Sequence, residues 1–514
     1  MPTGPVGAQT VAVTTGVHPR VAATVALPRF AWRAVGAVMV AQAAVLTALS
    51  GRYGFHRDEL YFLAAGNHPA WGYVDQPPLT PLLARLSTTV FGDTPVGLRV
   101  VATLLGAATV LLAAAAAREF GGGRGPQVAT ALSTALSGFI LGVTHLVSTI
   151  TPDLVVWLAV GVLVVRVLRT GDGRWWLAVG AAVGVGLTNK WLVLLLIAAL
   201  GVSLLAVGPR RVLRSGWLVA GAAIALLVAA PIVLWQATHG WPQLTVAAGI
   251  SASDGLKNRV MFVPDQLIYL SPVLVPVWLA GLLRPWRDPR LRWARAVALA
   301  YPVLCLEILL LGGKPYYALP MLLLFVAAGA EPVLDWLARR RAWRWASVAA
   351  AVGIVVSVLI GLPVLPERAL GPVLAVNKES GEQVGWPRFV DTVAAAWQRI
   401  PPEQRGTAVI LTRNYGQAGA IQRYGPERGL PTPYSGHMSY ADWGPPPDTM
   451  TGPVLLVGRF PDDTLRVRFA DCHEVARNDN GVGVANDEQG TPVTLCSRPA
   501  EPWSRLWPGL RRYY

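Results

Sequence analysis

A chain of 514 residues has the length of roughly three soluble domains, but 53% hydrophobic residues, 14% charged residues and a mean hydropathy of +0.44 exclude an ordinary soluble protein. The net charge of +15 invites a nucleic-acid partner, yet residues 1–365 hold 28 Lys and Arg against 13 Asp and Glu, while residues 366–514 hold 16 of each. The excess follows the hydrophobic part, where membrane topology accounts for it, and no polyanionic partner is needed.

In chain order, residues 1–30 are rich in Val, Ala, Thr, Gly and Pro and lack an apolar core followed by a cleavage site. They read as a disordered cytosolic tail rather than a signal peptide. From residue 31 to residue 365, apolar runs near the ~20 residues that cross a bilayer recur, and they stop near Pro366. Eleven spans are predicted, at roughly 33–50, 99–117, 127–147, 152–168, 174–189, 191–208, 216–236, 263–283, 295–312, 316–338 and 343–363. The fifth and sixth meet at Asn189-Lys190-Trp191 with almost no loop. Every second connection is arginine-rich: Arg118 and Arg124; Arg166, Arg169 and Arg174; Arg210, Arg211 and Arg214; Arg284 to Arg295; Arg339 to Arg344. The positive-inside rule then gives a cytoplasmic N-terminus, and an odd number of spans puts residues 366–514 outside.

Residues 51–98 are the first outer loop, too long for a turn and too apolar for disorder. Leu60, Tyr61, Leu63 and Ala64 recur at helical spacing after Asp58-Glu59, and Pro81 to Phe91 repeats the pattern, which predicts short helices along the membrane surface. The two acids fall at a helix N-terminal turn, where the dipole favours negative charge. Alone they would read as caps. Other outer connections add His145 and Asp153, His239, Asp254 and Asp265 in a 237–265 loop, and Lys314, Tyr316 and Tyr317. Ionisable groups beside hydrocarbon are costly and line functional cavities. Carboxylates on this face can take a proton from a hydroxyl, and a lysine with tyrosines can hold a phosphate. All four lysines, Lys190, Lys257, Lys314 and Lys378, fall on the outer side; for Lys190, snorkelling and function weigh equally.

The stretch FHRDELYFLAAGNHPAWGYVDQPPL, Phe55 to Leu79, resembles the first outer loop of GT-C-type membrane glycosyltransferases, in particular the glycosyltransferase family 39 group of protein O-mannosyltransferases and lipid A aminoarabinose transferases. Its Asp-Glu pair, following Tyr and Asp75-Gln76-Pro77-Pro78-Leu79 carry the likeness. Thr151-Pro152-Asp153 is similar to the family's Pro-Asp element, and Lys314-Pro315-Tyr316-Tyr317-Ala318-Leu319-Pro320 to its late Lys-x-Tyr-x-x-x-Pro element.

The resemblance covers roughly residues 30–360. It implies a polytopic helical membrane protein that moves a sugar from a polyprenyl-phosphate carrier to an acceptor protein, lipid or glycan outside a bacterial cytoplasmic membrane. By position, Asp58 would be the catalytic base or an acceptor-orienting carboxylate and Glu59 its neighbour in the site, Asp75 and Asp153 further acidic groups, and Lys314, Tyr316 and Tyr317 contacts of the donor. A divalent metal stays open, since His56, His68 and His239 form no ligand spacing and no Cys/His zinc pattern is present. No Walker motif occurs, and glycines such as Gly180 to Gly186 read as helix packing. A flippase or transporter without catalysis is the alternative; against it stand the lack of an internal repeat and the concentration of acids in one outer loop.

Residues 366–514 have soluble texture and predict a small α/β domain, similar to C-terminal portions of actinobacterial members of the group. Strands are expected over Thr407–Thr412, Pro453–Val457, Glu474–Ala476 and Pro492–Cys496, and helices over Gln417–Tyr424 and Asp462–Phe469. Its two cysteines, Cys472 and Cys496, are candidates for a disulfide in an oxidising exterior. The aromatic, Gly- and Pro-rich segment Tyr434 to Pro447 is read as either a sugar-stacking cover or a structural loop.

Overall fold

The computed structural model describes residues 27–513. In a bilayer the backbone can satisfy its polar groups only internally, and the apolar part of the chain is helical accordingly. It opens with α1 (Trp32–Leu49), then the two first-loop helices α2 (Arg57–Gly66) and α3 (Leu79–Phe91), then α4 (Pro95–Glu119), α5 (Arg124–Ala135), α6 (Gly138–His145) and α7 (Ile150–Thr170). Next come α8 (Trp175–Leu187), α9 (Val193–Val207), α10 (Gly216–Thr238), α11 (Pro242–Ile268) and α12 (Val275–Arg287). The last are α13 (Arg295–Leu311), α14 (Leu319–Arg340) and α15 (Trp343–Gly361).

Among the described residues seven of these helices are long and apolar enough to cross a membrane. The pairs α5–α6 and α11–α12 are bent by 60° and 74° at short breaks, and α8 and α9 are shorter apolar helices. Counting each bent pair as one span gives nine among the described residues, short of the eleven expected, because α8 and α9 are apolar but shorter than a span; two further corrections concern the chain's middle. The 237–265 stretch expected as an outer loop is mostly α11, and the span expected at 263–283 straddles the α11–α12 bend. A mixed polar and apolar texture hid a helix there. Of the tail expected over residues 1–30, residues 1–26 lie outside the described ones, and the rest is pinned: Arg118 Nε donates to Pro28 O at 2.8 Å and Gln127 Nε2 to Arg29 O at 3.3 Å.

Helix contacts use glycine where backbones meet. A Cβ on Gly180 of α8 would lie 2.0 Å from Gly221 O of α10, and one on Gly281 of α12 only 1.8 Å from Phe325 O of α14. At the arginine-rich end, buried Glu119 of α4 accepts from Arg166 at 2.5 Å and Arg169 at 2.8 Å, both on α7.

After α15 the chain passes α16 (Gly371–Leu374) and α17 (Trp386–Trp397), then builds a sheet from β1 (Val409–Thr412), β2 (Tyr434–Ser435) and β3 (Val454–Val457), with α18 (Tyr415–Tyr424) between the first two. Then follow α19 (Asp462–Arg468), β4 (Phe469–Ala470), β5 (His473–Arg477), β6 (Pro492–Cys496), β7 (Arg498–Pro499) and α20 (Trp503–Leu506). The five-stranded sheet runs β2-β1-β3-β6-β5, parallel through β2, β1 and β3 and antiparallel beyond; β4 pairs β7 apart from it. Val454, Leu455, Leu456 and Val457 are all fully buried, as a strand covered on both faces requires. Cys472 and Cys496 are disulfide-bonded.

The soluble domain and the first loop share one hydrophobic core. Phe55, Leu60, Tyr61 and Phe62 pack in the same cluster as Trp386, Phe389, Ile410 and Ile421. Helix α18 lies on α2 through glycines: a Cβ on Gly419 would meet Leu60 at 2.9 Å and one on Gly416 would meet Arg57 at 3.1 Å. Arg57 also pairs with Asp487 at 2.5 Å.

Candidate active site

The site starts from how α2 begins. His56 caps it, accepting from Asp58 N at 3.2 Å, while Glu59 Oε2 accepts from His56 N at 2.9 Å, a reciprocal capping arrangement. Asp58 and Glu59 therefore occupy adjacent places in one turn and point into different surroundings.

Glu59 is fully buried. Arg99 of α4, equally buried, grips it through Nε to Oε1 at 3.0 Å and Nη2 to Oε2 at 2.7 Å, and Val147 N donates to Oε1 at 3.0 Å. Arg99 continues to Ser50 O and Gly54 O at 2.6 and 2.7 Å. With its oxygens occupied and no opening to solvent, Glu59 ties α1, α2, α4 and the turn after α6 together. Glu59, expected beside Asp58 among the reacting groups, is thus enclosed by Arg99 and Val147.

Asp58 keeps 36% of its side chain exposed. Its Oδ1 accepts from the Tyr415 hydroxyl at 2.7 Å, and Arg57 Nε stands 3.7 Å away. Oδ2 accepts no hydrogen bond among the described residues and faces His56 Nδ1 at 4.0 Å. Behind it, His56 Nε2 pairs with Glu379 at 3.4 Å. Burial works against both charges, but their attraction raises the imidazole above its ordinary value and holds the Glu379 carboxyl down at about 2.

Asp75 accepts from the Tyr61 hydroxyl at 2.6 Å. Burial pushes its carboxyl up to about 6 against that hydrogen bond, with the Asp58 charge adding to the rise. Asp153, in the first turn of α7, is buried, and its Oδ1 has no hydrogen-bond partner among the described residues. Lys190 is held where α8 and α9 break. Thr80 Oγ1 donates to Asn189 Oδ1 at 2.7 Å, Asn189 Nδ2 to Thr149 O at 2.8 Å, and Leu79 N to Thr188 O at 2.9 Å. These bonds tie the break to the end of the Asp-Gln-Pro-Pro-Leu element and to the start of α7.

The Lys190 ammonium stands 5.8 and 5.6 Å from the Tyr316 and Tyr317 ring centres. Burial pushes it down to about 8; Asp153, Asp58 and Asp75 favour its charge and Lys314 opposes it. Tyr316 and Tyr317 therefore stand beside Lys190, and Asp153, Lys314, Asp58 and Asp75 are near enough to act on its charge. Sequence reading left Lys190 undecided, although the loop-free junction of two short apolar runs was its signal.

The soluble domain closes over this group. The Ser439 hydroxyl lies 2.8 Å from Tyr61 Oη, whose single proton goes to Asp75, so it donates to that oxygen while its own Oγ accepts from Val74 N at 3.1 Å. The turn that delivers it holds Met438 at φ 51°, in the left-handed region. Trp443 stacks on His68 with ring centres 4.2 Å apart. The Tyr434–Pro447 segment is thus a cover on the first loop. Tyr415 and Glu379 had no signal in the sequence, because each joins the site across more than 300 residues, whereas Ser439 lies in the Tyr434–Pro447 segment already singled out. Among the described residues no three His, Cys, Asp or Glu side chains converge as metal ligands.

Residues 75–235 match the family model described as dolichyl-phosphate-mannose-protein mannosyltransferase. The whole chain is similar to solved structures of ArnT from Cupriavidus metallidurans. The form bound to undecaprenyl phosphate aligns at TM-score 0.55 and 16% identity over 89% of this chain and 97% of that one; the apo form aligns at 0.54 and 16% over 90% and 98%. The chain thus shares the GT-C-like fold of ArnT. A search of the curated proteins gave no match. The GT-C likeness extends past the family-model match to both chain halves, so the soluble domain belongs to the aligned architecture.

Proposed function

We propose that the protein transfers a sugar from a polyprenyl-phosphate-linked donor to an acceptor hydroxyl at the outer membrane face, with inversion at the anomeric carbon and Asp58 as base. The observation that carries the reading is the Asp58 carboxylate, about a third exposed, whose Oδ2 accepts no hydrogen bond among the described residues, near enough to Lys190 to act on its charge. The acceptor hydroxyl gives its proton to Asp58 Oδ2 as its oxygen bonds to the anomeric carbon. The bond from that carbon to the phosphate oxygen breaks, and the phosphate leaves with the electron pair. Lysine ammonium groups, with the tyrosine hydroxyls, offset the charge that develops on it. Asp75 and Asp153 would hold the sugar or the acceptor through hydrogen bonds. The matching family model's dolichyl-phosphate-mannose description and the undecaprenyl phosphate bound by ArnT support a lipid-phosphate donor. The isoprenoid tail would remain in the bilayer while its head reaches the site. Arginine-rich connections support a cytoplasmic N-terminus and an outer soluble domain. The acceptor is a protein, lipid or glycan hydroxyl.

The test is release of labelled sugar from a panel of hexosyl and pentosyl polyprenyl phosphates, with membrane extract as acceptor, by wild type and Asp58→Asn. Wild type should transfer label, and the variant, still folded and binding donor, should lose about 10²–10⁴-fold in rate. Equal rates would remove Asp58 as base. Movement of donor across vesicle membranes without release would favour the transporter.

A further inference from the structure

We propose that Tyr415 is a positioning residue for Asp58, so that the soluble domain supplies part of the reaction site itself. The inference rests on the reading of Asp58 as base and adds a residue far outside the first loop.

The Tyr415 hydroxyl is the one hydrogen-bond donor to the Asp58 side chain among the described residues, at 2.7 Å on Oδ1. A carboxylate in the first turn of a helix, with a third of its surface exposed, can rotate about its side-chain bonds. A single directed donor selects one orientation and leaves Oδ2 as the free oxygen. Misplacement of a reacting group by about 1 Å costs on the order of 10²-fold in rate, so this selection has a kinetic consequence.

Tyr415 is itself firmly placed. Its ring stacks on His437 with centres 5.0 Å apart and lies 4.8 Å from Tyr61, and its backbone N–H donates to His437 Nδ1 at 3.3 Å. It is the first residue of α18, whose cap Asn414 accepts from Gln417 N at 2.8 Å and donates to buried Glu488 at 2.9 Å. Gly416 and Gly419 allow α18 to approach α2 closely enough for the hydroxyl to reach. Burial and the Asp58 charge raise the phenol well above its ordinary value, which keeps it a donor. An interface contact needs only the ring; the hydroxyl aimed at Asp58 needs a further reason, and orientation of the base supplies it.

The experiment uses the full chain in vesicles, the same labelled donor panel, and Tyr415→Phe, which keeps both ring contacts. Tyr424→Phe, on the same helix, is the control. Tyr415→Phe should lower kcat about 10–100-fold with the donor KM within about twofold and the melting temperature equal to the control's. An unchanged kcat, or a loss that tracks a lowered melting temperature, overturns the positioning role while the Asp58 reading stands. If wild type releases no sugar, the reading beneath it falls first.

Discussion

Glu59 and Asp58 differ by one position and by almost everything else. Glu59 is enclosed with Arg99 at zero exposure, so removing its charge leaves a guanidinium without its partner in a dry site. Glu59→Gln should cost about 3–5 kcal/mol, read as a lowered melting temperature in detergent. Asp58→Asn, at a site open to water, should leave the melting temperature near wild type and remove transfer. A reversal of these two outcomes would exchange their roles. Asp75 gives a pH signature. Its folded-state carboxyl is raised from 3.8 to about 6, so its contribution to stability is full below about pH 4 and is lost as pH rises through about 6. Asp75→Asn has no such loss. Melting curves at pH 4.5 and 7.5 should therefore show the variant gaining on wild type at the higher pH. The Asp-Glu pair was legible from its place after the first span. That Glu59 is sealed while Asp58 stays partly exposed was not, because burial and partners come from α4, α6 and α18.

At the scale of elements, glycine and helix breaks decide how groups are delivered. Gly281→Leu would drive a side chain into Phe325 O of α14 and should separate α12 from α14, visible as a marked drop in folded yield and melting temperature. The packing role of glycines in the spans was readable from composition; the pairing of Gly180 with Gly221 was not. The break between α8 and α9 has a different use. It places Lys190 beside Tyr316 and Tyr317, and Lys190→Met should lower kcat/KM for the lipid-phosphate donor about 10²-fold. A variant with unchanged kinetics would return Lys190 to a snorkelling role. Sequence reading saw the missing loop at Asn189-Lys190-Trp191 but had no means to see that Thr80 and Leu79 bond to it from 109 residues away.

For the whole molecule, orientation is the open quantity that arginine placement argues. Exposed Val467 of the soluble domain, changed to Cys, should react with a membrane-impermeant thiol reagent in intact cells. Arg340→Cys, in an arginine-rich connection, should react only after permeabilisation. The opposite pattern would invert the topology. The shared core between the first loop and the soluble domain also makes the division at residue 365 one of solvent rather than of packing. The sequence by itself determined the helical membrane class, the places of most apolar segments and four of the five strands of the main sheet in the soluble part, missing the two-residue β2. It could do so because periodicity, span length and charge bias are local properties of a chain. Only the tertiary structure decided that Glu59 is sealed by Arg99, that Lys190 stands among the acids, and that Tyr415 reaches Asp58 across 357 residues. Those are contacts between distant segments, fixed by how glycine seams and a common core bring the surfaces together.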